Sequence, residues 1–218
     1  MKIHLDKFKK FLGKYISPSY SQCDEDKIIA QHFAPDYKGI CIDIGAADGI
    51  GLSNTYYFEK HGWKCVCVEP NPWMFEKLNK NRKHAINAAV GLNNNREVDF
   101  KVVTLQGGNQ TAISSLEVDQ RLMQSHAHFN PQINIIKVQE RTLDSILEDF
   151  DWISHIDFVT IDTEGTELDV LKGFNIDKWS PKLFCIENNF NDPEITGYLE
   201  KFGYKKILRN EVNDFYAK

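Results

Sequence analysis

The chain has 218 residues, 42% of them hydrophobic and 26% charged, which suits one domain with a full core and excludes a disordered or low-complexity polypeptide. Its formal net charge of −5 argues against a protein that relies on nucleic-acid phosphates. No apolar run is long enough to span a bilayer, and residues 1–8 lack the apolar centre of a signal peptide, so a cytoplasmic protein without a membrane span is expected. Three or four of the five cysteines fall among Ile and Val in predicted strands, where Cys acts as a small hydrophobe, so free thiols are expected.

In chain order, Phe8, Phe11, Leu12 and Tyr15 recur at helical spacing and Pro18 follows, predicting a short amphipathic helix in an N-terminal extension over residues 1–35. Ser21-Gln22-Cys23-Asp24-Glu25-Asp26 reads as a helix start with Ser21 as its cap. Residues 39–44 are an apolar run, the signature of a parallel strand buried on both faces. They lead into the turn Asp43-Ile44-Gly45-Ala46-Ala47-Asp48-Gly49, and residues 53–59 read as a helix. Strand, glycine turn and helix form one edge of a nucleotide crevice, with free helix N–H groups offered to a ligand carboxylate or phosphate. A dinucleotide fingerprint needs G-x-G-x-x-G, and here the middle glycine is missing. A carboxylate at Asp43 repels pyrophosphate and suits an ammonium or a hydroxyl.

Residues 64–68 are a second apolar strand, ending at Glu69, about 20 residues past the turn, where ribose-binding acids sit in doubly wound sheets. Pro70-Asn71-Pro72 opens a helix over residues 73–81, and residues 84–90 read as a third strand, ending in small residues that leave room for an adenine ring. Residues 97–103 alternate like a half-exposed strand. Residues 104–131 have no period and read as a lid or variable insertion, in which His126 and His128 are plain loop residues for want of a third metal ligand. A strand over residues 133–140 and a helix capped by Thr142 follow. Two more apolar strands end in acids, at Asp162 and Glu187. Residues 204–208 and 212–216 close the chain as two strands. Four carboxylates, Asp43, Glu69, Asp162 and Glu187, thus fall at one predicted rim, where they repel one another unless something positive lies among them.

The segment Ile156-Asp157-Phe158-Val159-Thr160-Ile161-Asp162-Thr163-Glu164-Gly165-Thr166-Glu167, continuing through Val170-Leu171 to Gly173, resembles the hallmark of FkbM-type methyltransferases. Ser21-Gln22, the Asp43–Gly49 turn, Glu69-Pro70-Asn71-Pro72 and Arg141-Thr142-Leu143-Asp144 fit the same pattern in order. The resemblance implies a Rossmann-like α/β fold with a mostly parallel seven-stranded sheet, helices on both faces and an antiparallel C-terminal hairpin. It implies methyl transfer from S-adenosylmethionine to a hydroxyl of a sugar, glycan or other small molecule. Gln22, Asp43, Gly45, Ala46, Gly49, Ser53, Glu69, Pro70, Ala89, Val90 and Asp162 would hold the cofactor, and Asp162, Glu164 and Glu187 would do the chemistry. Asp162 with Glu187-Asn188 also resembles the Asp…Asp-Asn metal set of the catechol O-methyltransferases, which implies Mg²⁺ or another divalent metal. The activating group is then either that metal or a carboxylate base, Asp162 or Glu164. The rival readings are a nicotinamide-dependent oxidoreductase and a non-catalytic nucleotide-binding module. Neither the acceptor nor the oligomeric state is legible in the residues.

Overall fold

The computed structural model describes residues 18–104, 114–117, 119–125 and 127–218. Its strands in chain order are β1 (Ile40–Ile44), β2 (Lys64–Val68), β3 (Ala85–Ile86), β4 (Ala89–Val90), β5 (Arg96–Thr104), β6 (Gln132–Arg141), β7 (Phe158–Ile161), β8 (Leu183–Glu187), β9 (Lys205–Asn210) and β10 (Asn213–Ala217). The helices are α1 (Glu25–Ala30), α2 (Tyr56–Lys60), α3 (Pro72–Asn81), α4 (Gln120–Ser125), α5 (Leu143–Leu147), α6 (Glu167–Lys172), α7 (Ile176–Trp179) and α8 (Pro193–Glu200). A seven-stranded sheet runs in the order β3-β2-β1-β7-β8-β10-β9. Its strands β3, β2, β1, β7 and β8 pair in parallel, and β10 is antiparallel to both β8 and β9.

The apolar runs are unbroken because both faces of this sheet are covered. Alternate residues of β1 feed two separate cores. Ile40, Ile42 and Ile44 pack with Leu143, Ile146, Val170, Leu171 and Leu199 of α5, α6 and α8. Cys41 faces the other way, with Cys65, Cys67 and Cys185 and with Ile29, Phe58 and Leu78 of α1, α2 and α3. By the same period of two, Asp43 leaves the sheet on the side of α1–α3, at the C-terminal end of the strand. All five cysteines are free thiols, and four of them are buried. Among the described residues no helix is long and apolar enough to cross a membrane.

Several boundaries differ from the sequence reading. Residues 84–90 are not one strand: β3 pairs with β2, and β4 pairs with β6 in a second sheet of order β4-β6-β5. The break falls at Asn87, whose amide donates to the carbonyls of Glu69 and Pro70 and turns the chain off the main sheet. The strand expected over 97–103 is β5, paired antiparallel to β6 in this smaller sheet. Ser21 does not cap α1. Asp24, in the left-handed region at φ 65°, holds that position, and Ser21 Oγ accepts the Asp26 amide at 3.2 Å. The C-terminal turn falls at Glu211 and Val212, because β9 continues to Asn210. The expected insertion contains α4 and a 3-10 turn, Ala127–Phe129. The amphipathic helix expected before Pro18, the stretch 105–113 and His126 lie outside the described residues.

Gly45 shows how tightly the rim is built. Its φ is +84°, and a Cβ added there would lie 1.7 Å from the backbone oxygen of Asp162. The ends of β1 and β7 therefore meet across a residue that carries no side chain. Gly45→Ala should destabilise the fold by about 3 kcal/mol or more, read as a fall in the urea midpoint or as loss of folded protein.

Candidate functional site

The C-terminal ends of β1, β2, β7 and β8 open into one cleft. Asp43, Glu69, Asp162 and Glu187 all line it, together with Glu164. Of the residues expected from the sequence, Gln22, Gly45, Ala46, Ser53, Pro70, Ala89 and Val90 line it as well. Gly49 and Asn188 are not among its lining residues. Gly49 backs onto α3 instead: a Cβ there would lie 2.6 Å from side-chain carbons of Arg82 and Leu78. The glycine makes room for a buried arginine and not for a ligand.

That arginine escaped the sequence reading, since a lone Arg at a helix end gives no periodic signal. Arg82 is buried, pairs with Glu59 through Nε, and donates to the Gly49 carbonyl at 2.9 Å and to Thr55 Oγ1 at 2.8 Å. Its guanidinium lies 3.9 Å from Asp43. Thr55 and Ser53 donate their hydroxyls to the same Asp43 oxygen. Burial raises the Asp43 carboxyl, and Arg82 pulls it back down.

The backbone of the turn is occupied from within. The amides of Gly45 and Ala46 donate to the Val68 carbonyl, and that of Ala47 donates to Glu69 Oε2 at 2.9 Å. Asp48 Oδ1 takes the amides of Ile50 and Gly51, and Ser53 Oγ takes those of Thr55 and Tyr56. The free N–H groups expected for a ligand anion at this turn are thus largely consumed by the protein's own oxygens. Glu69 accepts from the amides of Ala47 and Asn71, yet burial pushes its carboxyl up to about 7. Asn71 caps α3 through the Trp73 amide, and the helix opens at Pro72, one residue before the expected start.

At the other end of the cleft, Asp162, Glu164 and Glu187 present carboxylate oxygens all within 4.8 Å of one another. Asp162 is half-buried; Glu164 and Glu187 are buried. Burial and mutual repulsion raise all three. The turn that aims them is held by Glu167. Its Oε1 accepts the amides of Thr163 and Gly165, both at 3.0 Å, and the Thr163 hydroxyl at 3.1 Å. This grip stabilises Glu164 at φ +57° beside Gly165 at +117°. Asn188 does not join them. Its amide donates to Asp214 and to the Asp192 carbonyl and its oxygen accepts the Asp192 amide, while Glu164 stands beside Asp162 and Glu187.

The cleft has walls that sequence spacing missed. Glu25, Asn54, Met74, Thr160 and Asn213 line it, and Phe100, Ser114 and Leu116 reach it from the smaller sheet and the insertion. The Asn54 amide donates to Thr160 Oγ1 at 3.0 Å. Ser115 bridges Lys101 of β5 and donates to the Thr163 carbonyl, fastening the insertion over the acidic turn. Glu25 and Thr160 carried a signal, lying within the segment 21–26 and the 156–173 segment already singled out.

A sheet of this order with a single reversed strand, opening its ligand cleft at the parallel strand ends, is the frame of a Rossmann-like methyltransferase. The family model described as the Methyltransferase FkbM domain matches residues 43–206, and the chain belongs to that family. Neither the curated proteins nor the solved structures hold a match to this chain.

Two outcomes follow from these electrostatics. Glu69 keeps its proton in the folded state to about pH 7, whereas an unfolded glutamate releases it near 4.5. The native state then binds more protons than the unfolded one, so this group's contribution is present below about 4.5 and is lost as pH rises through about 7. Glu69→Gln removes the dependence: between pH 5 and 8 its urea stability should improve relative to the unsubstituted protein by on the order of 1–3 kcal/mol. Arg82→Met leaves Asp43 and Glu59 buried without their cation and should lower stability by about 3–5 kcal/mol in the same assay.

Proposed function

We propose that the protein is an S-adenosylmethionine-dependent O-methyltransferase acting on a hydroxyl of a sugar, glycan or other small molecule. The observation that carries this reading is the character of the cleft. It is rimmed by carboxylates, while the turn's backbone amides are already engaged. Such a cleft favours a ligand with positive charge over one with a pyrophosphate. S-adenosylmethionine carries a sulfonium and an ammonium, and NAD carries the phosphates this turn is poorly fitted to hold.

In this reading Asp43 and Gln22 face the methionine end of the cofactor. Glu69 accepts from the ribose hydroxyls. Pro70, Met74, Ala89, Val90, Phe100 and Leu116 form the apolar wall for adenine. Asp162, a member of the acidic cluster, faces the reaction centre. The acceptor enters from the Glu187 side, where an adjoining cavity is lined by Asp119, Arg121, Asn189, Phe190 and Asp192. There Arg121 is clamped by Asp119 and Asp192 and lies 3.9 Å over the Phe190 ring.

The chemistry follows. The acceptor oxygen attacks the methyl carbon, the new C–O bond forms, and the C–S bond breaks with its electron pair going to sulfur. The cofactor leaves as a neutral thioether. The acceptor's proton passes to the carboxylate cluster, with Asp162 its most accessible member and Glu164 beside it. The chain's main contribution is alignment of oxygen, methyl and sulfur.

Calorimetric titration is expected to detect S-adenosylmethionine and to find no comparable binding of NAD. With the labelled methyl donor and a panel of sugars and small-molecule alcohols, Asp162→Ala should cut transfer by about 10²-fold or more with the circular dichroism unchanged. Tight NAD binding without binding of the methyl donor would defeat the reading.

A further inference from the structure

We propose that Asp162, Glu164 and Glu187 form a divalent-cation site, with Glu164 as the ligand that sequence comparison would have placed at Asn188. Three features carry it. The three residues offer oxygens within 4.8 Å of one another. Ligands on opposite sides of one ion stand two bond lengths apart, so the roughly 2.3–2.6 Å bonds of Ca²⁺ span oxygens up to about 5 Å apart and the roughly 2.0–2.1 Å bonds of Mg²⁺ draw them to about 4 Å. The donor set is all oxygen and carries up to three negative charges, which suits a hard cation such as Mg²⁺, Mn²⁺ or Ca²⁺ and not a thiolate-seeking one.

The second feature is independent of the cluster itself. Glu164 is 8% exposed, and its Oε2 is buried with no hydrogen-bond partner among the described residues. A buried carboxylate oxygen is ordinarily satisfied, and leaving one bare is costly. Glu167 holds the amides of Thr163 and Gly165 on either side of it, so the bare oxygen is not a by-product of a loose loop. The third feature is the contrast with Asn188, whose amide group is bonded at both ends to Asp192 and Asp214 and is not free to turn toward an ion.

The site is separate in logic from the methyl donor and can be tested without it. A cation held here would replace the carboxylate base of the preceding reading, binding an acceptor hydroxyl and lowering its pKa so that its proton can leave to solvent. The chain's own part is to hold three oxygens on two strand ends and one rigid turn.

The test is titration of chelator-treated protein with Mn²⁺, read by calorimetry and by water-proton relaxation, with no cofactor or acceptor present. The full-length chain should bind one Mn²⁺ saturably, with competition by Mg²⁺. Glu164→Gln should weaken it by more than the roughly 10- to 100-fold that loss of an outer-sphere partner costs. Asn188→Ser, checked for an intact fold, should leave the affinity within about twofold. If Glu164→Gln does not fold, Asp162→Asn takes its place with the same expectation. Absence of saturable binding to the unsubstituted protein, or equal affinity in Glu164→Gln, would overturn the proposal. Binding of S-adenosylmethionine measured alongside reports on the cofactor reading alone, so the two can fail separately.

Discussion

Everything at the working end of this fold depends on the repulsion among carboxylates gathered at the ends of parallel strands. β1, β7 and β8 run in one direction, so the residues that end or follow them arrive at a single rim. Four acids meet there with a fifth, Glu164, and burial removes the water that would screen them. Arg82 stands behind Asp43 and brings a buried positive charge to the first strand end. The cluster of Asp162, Glu164 and Glu187 is left to share protons, or to receive a cation that the fold itself does not supply.

The backbone around that rim is arranged for rigidity. Gly45 lets two strand ends touch, and Gly49 lets α3 bring Arg82 underneath the turn. The amides of the turn close on Val68, Glu69 and Asp48, which fixes its shape before any ligand arrives. On the opposite side the hallmark segment divides its labour. Asp162 and Glu164 face the cleft, while Glu167 and Gly165 build the turn that aims them. A repeated acid in one motif thus serves two physical ends: one carboxylate bonded to backbone, another left bare.

The smaller sheet changes what the cleft can recognise. β5 and β6 form a long antiparallel pair, and β4 joins it after the chain leaves the main sheet at Asn87. This brings Phe100, Ser114 and Leu116 over an opening otherwise lined by strand ends and turns. The clamp of Arg121 between Asp119 and Asp192 ties α4 to the loop after β8 and bounds the adjoining cavity. The insertion is a wall of the site and not only a cover.

Much of this was legible in the residues. Apolar runs of five or so, each ending in an acid or a small-residue turn, specify buried parallel strands, and local patterning is enough to find them. The acids at 43, 69, 162 and 187 were readable for the same reason, since a strand's end is a local property. What sequence alone left open is what depends on distant contacts. That residues 84–90 divide between two sheets follows from a side-chain amide reaching the carbonyls of Glu69 and Pro70. That Gly49 serves Arg82 follows from helix packing across 33 positions. That Asn188 turns away while Glu164 turns in is decided by hydrogen bonds to Asp192 and Asp214, and by Glu167 closing its own turn. Composition and period determine which face of which element is buried; the direction of a single polar side chain is set by which partner comes within three ångströms, and only the folded chain decides that.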